Sequence, residues 1–168
     1  MVSSAKSMNS SKIRTYVKLI ESSKVYDVAQ ITPITKANQL SKALNNEVLL
    51  KREDLQPVFS FKIRGAYNKL AKLKQKGVKG PFIAASAGNH AQGVAFGAKN
   101  LGLKAFIVMP VTTPSIKVNS VKNYGGKVIL HGDNFDEAYQ YAAQLVSKEG
   151  YTFIPVSYTH LRAHETSQ

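Results

Sequence analysis

The run Phe82-Ile-Ala-Ala-Ser-Ala-Gly-Asn-His-Ala-Gln-Gly93 changes character halfway along. Residues 82–85 are uniformly apolar and read as a short strand. After a turn of small residues, Ala91, Val94, Ala95, Ala98 and Leu101 recur at a helical period. Strand, small-residue turn and helix N-terminus together make an anion-binding design. Ser86 can cap the helix, Gly88 permits a backbone conformation closed to other residues, and the first N–H groups point at whatever negative group sits there. Many α/β proteins turn through Ser, Gly and Asn for structural reasons alone, so this turn acquires chemical meaning only with a partner.

The same alternation continues on both sides. A helix is expected over 60–76, a strand over 82–85, a helix over 89–101 and a strand over 105–109. Next come a helix over 115–124, a strand over 127–131, a helix over 135–147 and a strand over 151–154. Such alternation predicts a parallel, twisted sheet with right-handed crossovers and helices on both faces, an α/β fold. The helix from Phe135 carries the fullest set of end signals. Asp133 or Asn134 stands at its cap, Asp136 and Glu137 in its first turn, Lys148 in its last turn and Gly150 just beyond, with Phe135, Ala138, Ala142 and Leu145 as the core face. Gly77, Gly102, Gly125 and Gly150 read as helix ends rather than as a repeat. No G-x-G-x-x-G fingerprint occurs, so a nicotinamide cofactor has no support.

The partner of the Ser86 turn is found upstream, in Lys51-Arg-Glu-Asp-Leu-Gln-Pro-Val-Phe-Ser-Phe-Lys-Ile-Arg-Gly-Ala66. Residues 48–51 read as a short buried strand, Gln56 and Pro57 break it, and Ser60 is a suitable N-cap for the following helix. Lys62 then falls in the first helical turn. A helix N-terminus opposes positive charge, which is the setting in which a lysine amine serves as a nucleophile toward carbonyls. Lys69, Lys72, Lys74 and Lys76 on the same helix read as a solvated face, and Arg52, Glu53 and Asp54 as a structural charge cluster at a strand end.

Composition narrows the field further. A chain of 168 residues is the usual size of one domain, and it contains no apolar run long enough to span a membrane. Residues 1–12 are Ser-rich, lack the apolar core of a secretory signal and are expected to be unstructured. The absence of cysteine excludes disulfides, thiolate metal sites and cysteine nucleophiles, and it fits a reducing, cytoplasmic compartment. The net charge of +13 is spread over lysines on the outward faces of helices, at Lys18, Lys36, Lys42, Lys99, Lys117, Lys122 and Lys148 among others. No basic block is interleaved with stacking aromatics, so neither nucleic acid nor a membrane is expected as a partner.

Together, residues 51–54, residues 57–66 and the run Ser86-Ala-Gly-Asn-His-Ala-Gln-Gly-Val-Ala95 closely resemble the threonine and serine dehydratases of the fold-type II pyridoxal phosphate enzymes. The resemblance extends through Ile107-Val-Met-Pro110, Lys117 and His131-Gly-Asp-Asn-Phe-Asp-Glu-Ala138, over roughly residues 13–155. Residues 131–138 and 26–33 look most like the biosynthetic threonine enzymes, and His90 separates the chain from the cysteine synthases, which carry Thr-Gly after the shared Gly-Asn.

The resemblance implies pyridoxal 5'-phosphate as cofactor and L-threonine, alternatively L-serine, as substrate. The products would be 2-oxobutanoate and ammonia, in isoleucine biosynthesis. Lys62 would hold the cofactor as a Schiff base and then take the α-proton, Phe61 would lie against the cofactor ring, and Asn89 would hydrogen-bond its phenolic oxygen. Ser86, Ala87, Gly88, Asn89 and His90 would line the substrate carboxylate pocket. It further implies a small domain over about 86–132, an N-terminal part of a large domain, and a homo-oligomeric intact enzyme.

The family's glycine-rich phosphate loop is expected beyond residue 168, so the chain is read as a truncated fragment that binds the cofactor weakly or not at all. Residues 156–168 match nothing in the family pattern and are expected to be a foreign tail, in which the spacing of His160, His164 and Glu165 is not read as a metal site. Two alternatives stand beside this reading, a serine racemase-like enzyme and a non-catalytic basic α/β fragment that binds small anions through the Ser86 turn.

Overall fold

The computed structural model describes residues 10–156. Its centre is a four-stranded sheet built from β3 (Phe82–Ala85), β4 (Ala105–Met109), β5 (Lys127–Leu130) and β6 (Thr152–Phe153), in the spatial order β5-β4-β3-β6. Every pairing in it is parallel: Phe82 lies opposite Ala105 and Thr152, and Phe106 opposite Lys127. β3 has no exposed residue, as expected for a central parallel strand covered on both faces. The α/β fold with a parallel sheet expected from the alternation is therefore present.

Period-two alternation along β3 and β4 divides the core. Phe82, Ala84, Ile107 and Met109 point to one face, where they meet Leu70, Val94, Ala95, Val118 and Val121. These come from α3 (Lys62–Gln75), α4 (Asn89–Asn100) and α5 (Ser115–Asn123). Ile83, Ala85 and Val108 point to the other face and pack on Ala138, Ala142 and Leu145 of α6 (Phe135–Glu149). Gly77, Gly102, Gly125 and Gly150 all have positive φ, between 67° and 88°, directly after helices, which is the C-terminal role read from the sequence. The Asn134 side chain accepts the Glu137 N–H at 3.0 Å while the Glu137 carboxylate reaches back to the Asp133 N–H at 2.9 Å. Loss of this cap in Asn134→Ala is expected to cost about 1 kcal/mol, read as a lower urea midpoint with unchanged slope.

Several expectations are corrected. Phe135 is 48% exposed and rests beside Tyr139 instead of joining the core. The strand expected as buried over 48–51 is β2 (Leu49–Lys51), exposed along its length, because among the described residues it pairs only with β1 (Ile34–Lys36), antiparallel. Between them lies the short helix α2 (Asn38–Ala43). Lys36, expected on a helix, sits in β1 and pairs with Glu47 at 3.2 Å. A helix α1 (Ser10–Glu21) begins inside the stretch expected to be unstructured and buries none of its residues. Among the described residues no helix is long and apolar enough to cross a membrane. His160, His164 and Glu165 lie outside the described residues.

Candidate active site

Lys62 is the first residue of α3, and its half-buried side chain stands beside the turn that opens α4. Ser60 acts one residue earlier than a cap in the strict sense. Phe61 occupies the capping position, while the Ser60 hydroxyl accepts the Lys62 N–H at 3.2 Å. The Lys62 Nζ donates to the Val156 carbonyl at 3.4 Å and lies 5.2 Å from the centre of the exposed Phe61 ring. Phe61, expected to lie against a cofactor ring, thus presents an uncovered aromatic face beside the lysine amine.

Across from Lys62, the Ser86 turn departs from expectation in two details. Gly88, not Ser86, is the capping residue of α4, and the Ser86 hydroxyl accepts the Gly88 N–H at 3.3 Å. Gly88 sits at φ −123°, a region open to other residues, so its backbone does not demand glycine. What glycine leaves there is room: an added Cβ would meet no atom within 4 Å. No side chain caps α4, so its first N–H groups carry their partial positive charge into that open space, with the exposed Asn89 at the rim.

His90 is the second residue of α4, with its side chain turned inward. Its ring is 5% exposed, and Nε2 lies 3.1 Å from the Ile154 carbonyl. A carbonyl only accepts, so Nε2 carries the proton. Burial pushes the pKa below the usual histidine value, the Ile154 hydrogen bond works against that, and nearby Lys62 lowers it further. The neutral ring ties the start of α4 to the residue just after β6.

Three features escaped sequence reasoning. Glu53 accepts both Nε and Nη2 of Arg64, at 2.8 and 2.9 Å, together with the Thr32 hydroxyl at 2.8 Å. The Arg64 hydrogen bond is the main reason its pKa falls to about 2, outweighing desolvation. Gln56, read from the sequence only as a strand breaker, is 1% exposed. Its amide clasps the backbone of Gln30, Oε1 accepting from N and Nε2 donating to O, both at 2.9 Å. Finally, the Tyr124 hydroxyl donates to the Pro57 carbonyl at 2.8 Å, joining α5's end to the approach to Lys62. The structural role expected for Arg52, Glu53 and Asp54 agrees with these contacts, since Arg52 and Asp54 pair with each other in solvent.

Two open hollows of the surface lie around α2, β1 and β2, away from these residues. The chemistry-bearing groups are instead an amine, an exposed ring and an uncapped helix start with vacant space beside it. An amine that can bond an aldehyde carbon, a ring to lie along a heterocycle and N–H groups suited to an anion fit an aldehyde cofactor carrying an acidic substrate.

Comparison with known proteins agrees with that donor set. Residues 25–166 match the family model described as "Pyridoxal-phosphate dependent enzyme". The chain belongs to this family. Among its pyridoxal-phosphate dependent relatives, the L-threonine dehydratase biosynthetic IlvA of Pasteurella multocida is 58% identical over 140 residues, covering 83% of this chain and 27% of the relative. The tomato protein named threonine dehydratase 1 biosynthetic, chloroplastic, is 60% identical over 140 residues, covering 83% of this chain and 23% of that one. The chain thus spans about a quarter of the length of these curated relatives. In structure it is similar to the processed form of threonine deaminase isoform 2 from tomato, with a TM-score of 0.81 at 47% identity, over 88% of this chain and 41% of that one. Maize serine racemase also shares the fold, with a TM-score of 0.72 at 30% identity, over 78% and 40% of the two chains.

Proposed function

We propose that this chain carries the lysine-bearing part of a pyridoxal-phosphate dependent dehydratase that converts L-threonine to 2-oxobutanoate and ammonia. The observation that carries the reading is that Lys62, the first residue of α3, packs its backbone against Gly93 of α4 and carries its charge near enough to His90 to act on that ring. Threonine is favoured over serine, and dehydration over racemisation, by identity to threonine dehydratases of 58% and 60%, against 30% to a serine racemase.

In this proposal Lys62 bonds the cofactor, Phe61 lies along its ring and Asn89 hydrogen-bonds its ring oxygen. When bound, pyridoxal phosphate supplies an aldehyde carbon that condenses with amines and a ring that accepts electron density. The chain's own residues do the rest. N–H groups at the start of α4, within the turn formed by Ser86, Ala87 and Gly88, hold the substrate carboxylate, and the room at Gly88 admits it. Lys62, with its amine free, would take the proton from the substrate Cα; the β-hydroxyl would leave with a proton as water, and hydrolysis by water would release ammonia and 2-oxobutanoate. His90 contributes indirectly, by holding the 154–156 segment against Lys62. A cytoplasmic protein without nucleic-acid or membrane partners completes the proposal, supported by scattered lysines and the absence of cysteine, and a homo-oligomeric intact enzyme is proposed from the family resemblance alone.

The test is to mix a full-length protein bearing this stretch, and this chain alone, with pyridoxal phosphate, reduce with borohydride and map the modified lysines. Modification concentrated on Lys62 and lost in Lys62→Ala is expected of the full-length protein, with weak labelling of the chain alone, while even labelling across the lysines of the full-length protein supports the anion-binding fragment instead. In a full-length protein bearing this stretch, Lys62→Ala is expected to lower 2-oxobutanoate formation by about 10³-fold.

A further inference from the structure

We propose that Gly93 is the positioning residue that sets where Lys62 stands relative to the Ser86 turn; this rests on the reading of Lys62 as the cofactor lysine. α3 and α4 lie side by side, and two glycines one turn apart, Gly93 and Gly97, face α3. They are not equivalent. A Cβ built at Gly93 would lie 3.1 Å from the Lys62 carbonyl oxygen, 3.2 Å from its carbonyl carbon and 3.4 Å from the Ala66 Cβ. The first two are backbone atoms of the lysine itself, which no rotamer change can move aside. At Gly97 the nearest atom is Leu70 Cδ1 at 3.3 Å, the far end of a flexible side chain, followed by Tyr67 Cα at 3.4 Å. A methyl at 97 meets first the end of the Leu70 side chain, which can give by a few tenths of an ångström within the core, whereas one at 93 meets the Lys62 backbone and pushes the first turn of α3 away from α4.

Other contacts make that push fall on Lys62. Ile63 is wholly buried in a cluster with Ala29 and Val58, and the Tyr124 hydroxyl holds the Pro57 carbonyl. The approach to Lys62 is therefore anchored from outside the seam, and the separation of the two helix starts is fixed from within it by the missing Cβ. Gly93 lies one turn beyond Asn89, so the same contact ties the lysine to the helix whose first N–H groups face the open space. Sequence shows the glycine spacing but gives no reason to prefer one glycine over the other.

The experiment compares Gly93→Ala with Gly97→Ala in the full chain. Two quantities are read, the NMR shift of the Lys62 carbonyl carbon and the share of borohydride-trapped pyridoxal phosphate found on Lys62. Gly93→Ala is expected to move the carbonyl resonance and lower the Lys62 share about five-fold, because a displacement of tenths of an ångström degrades a positioned reaction. Gly97→Ala is expected to leave both nearly unchanged, although it enlarges the same helix pair. Should Gly93→Ala fail to fold, Ala66→Val crowds the same point from the α3 side without adding a donor and is expected to move the same resonance. Carbonyl shifts that are equal in both glycine variants, or absent from both, overturn the assignment. Trapping without preference for Lys62 in the parent chain counts against the proposed function, and the carbonyl shifts still decide the role of Gly93.

Discussion

Gln56→Ala is expected to lower the unfolding free energy by about 3 kcal/mol, the sum of a buried cavity and lost amide hydrogen bonds. Gln56 is among the largest fully buried side chains, and both ends of its amide are used on the backbone of Gln30, while Nε2 also approaches the Glu53 carboxylate at 3.3 Å. Truncation leaves the Gln30 N–H without its side-chain partner, and only the longer 3.3 Å contact from Arg64 remains on the Gln30 carbonyl. Met in place of Gln fills the volume without the hydrogen bonds, so the difference between Gln56→Ala and Gln56→Met separates the packing part from the polar part. Urea unfolding of the three proteins checks this. Equal midpoints for the parent and both variants would show that the clasp contributes nothing.

The Gln56 clasp also shows where legibility in the sequence ends. Strands β3, β4 and β5 and helices α4, α5 and α6 match their expected bounds to within one or two residues. Unbroken apolar runs mark β3 and β4, the two inner strands, the edge strand β5 follows the glycine pair at 125–126, and a glycine at positive φ marks the end of each of these helices, so the signal for each element is local. Lys62 and the Ser86 turn were legible as positions for the same reason, each lying at a strand or loop to helix junction. Their mutual placement was not legible, because it depends on how closely α3 approaches α4. The pairing of β1 with β2 across α2 joins segments whose own residues are mixed in polarity, and period alone places Phe135 on the core face of α6 although it starts the helix outside the sheet's cover. Gln56 and Glu53 reach partners 26 and 21 residues earlier in the chain, and nothing local announces such partners.

Acid is expected to remove stability in two separate windows, each traceable to one side chain near the Lys62 approach. His90 has a folded pKa below its ordinary 6.5, since a charged ring would be desolvated and would face Lys62. As pH falls below about 6.5 the unfolded chain takes up that proton first, so the contribution of the neutral ring is present above this value and is lost below it. Glu53 behaves as a depressed carboxylate: its pKa falls from 4.5 to about 2, so its contribution is complete above 4.5 and disappears as pH drops toward 2. Screening by solvent at this partly exposed pair reduces the lower step to about 2 kcal/mol. The exposed pair of Arg52 with Asp54 adds little to either window. Urea midpoints measured from about pH 8 to about pH 2 would trace both steps. His90→Gln, whose amide can still donate to the Ile154 carbonyl, is expected to flatten the upper window while leaving the lower one in place. Glu53→Gln is expected to be less stable at neutral pH and to flatten the lower window. An upper step that persists unchanged in His90→Gln would mean that another group produces it and would overturn the assignment of this window to His90.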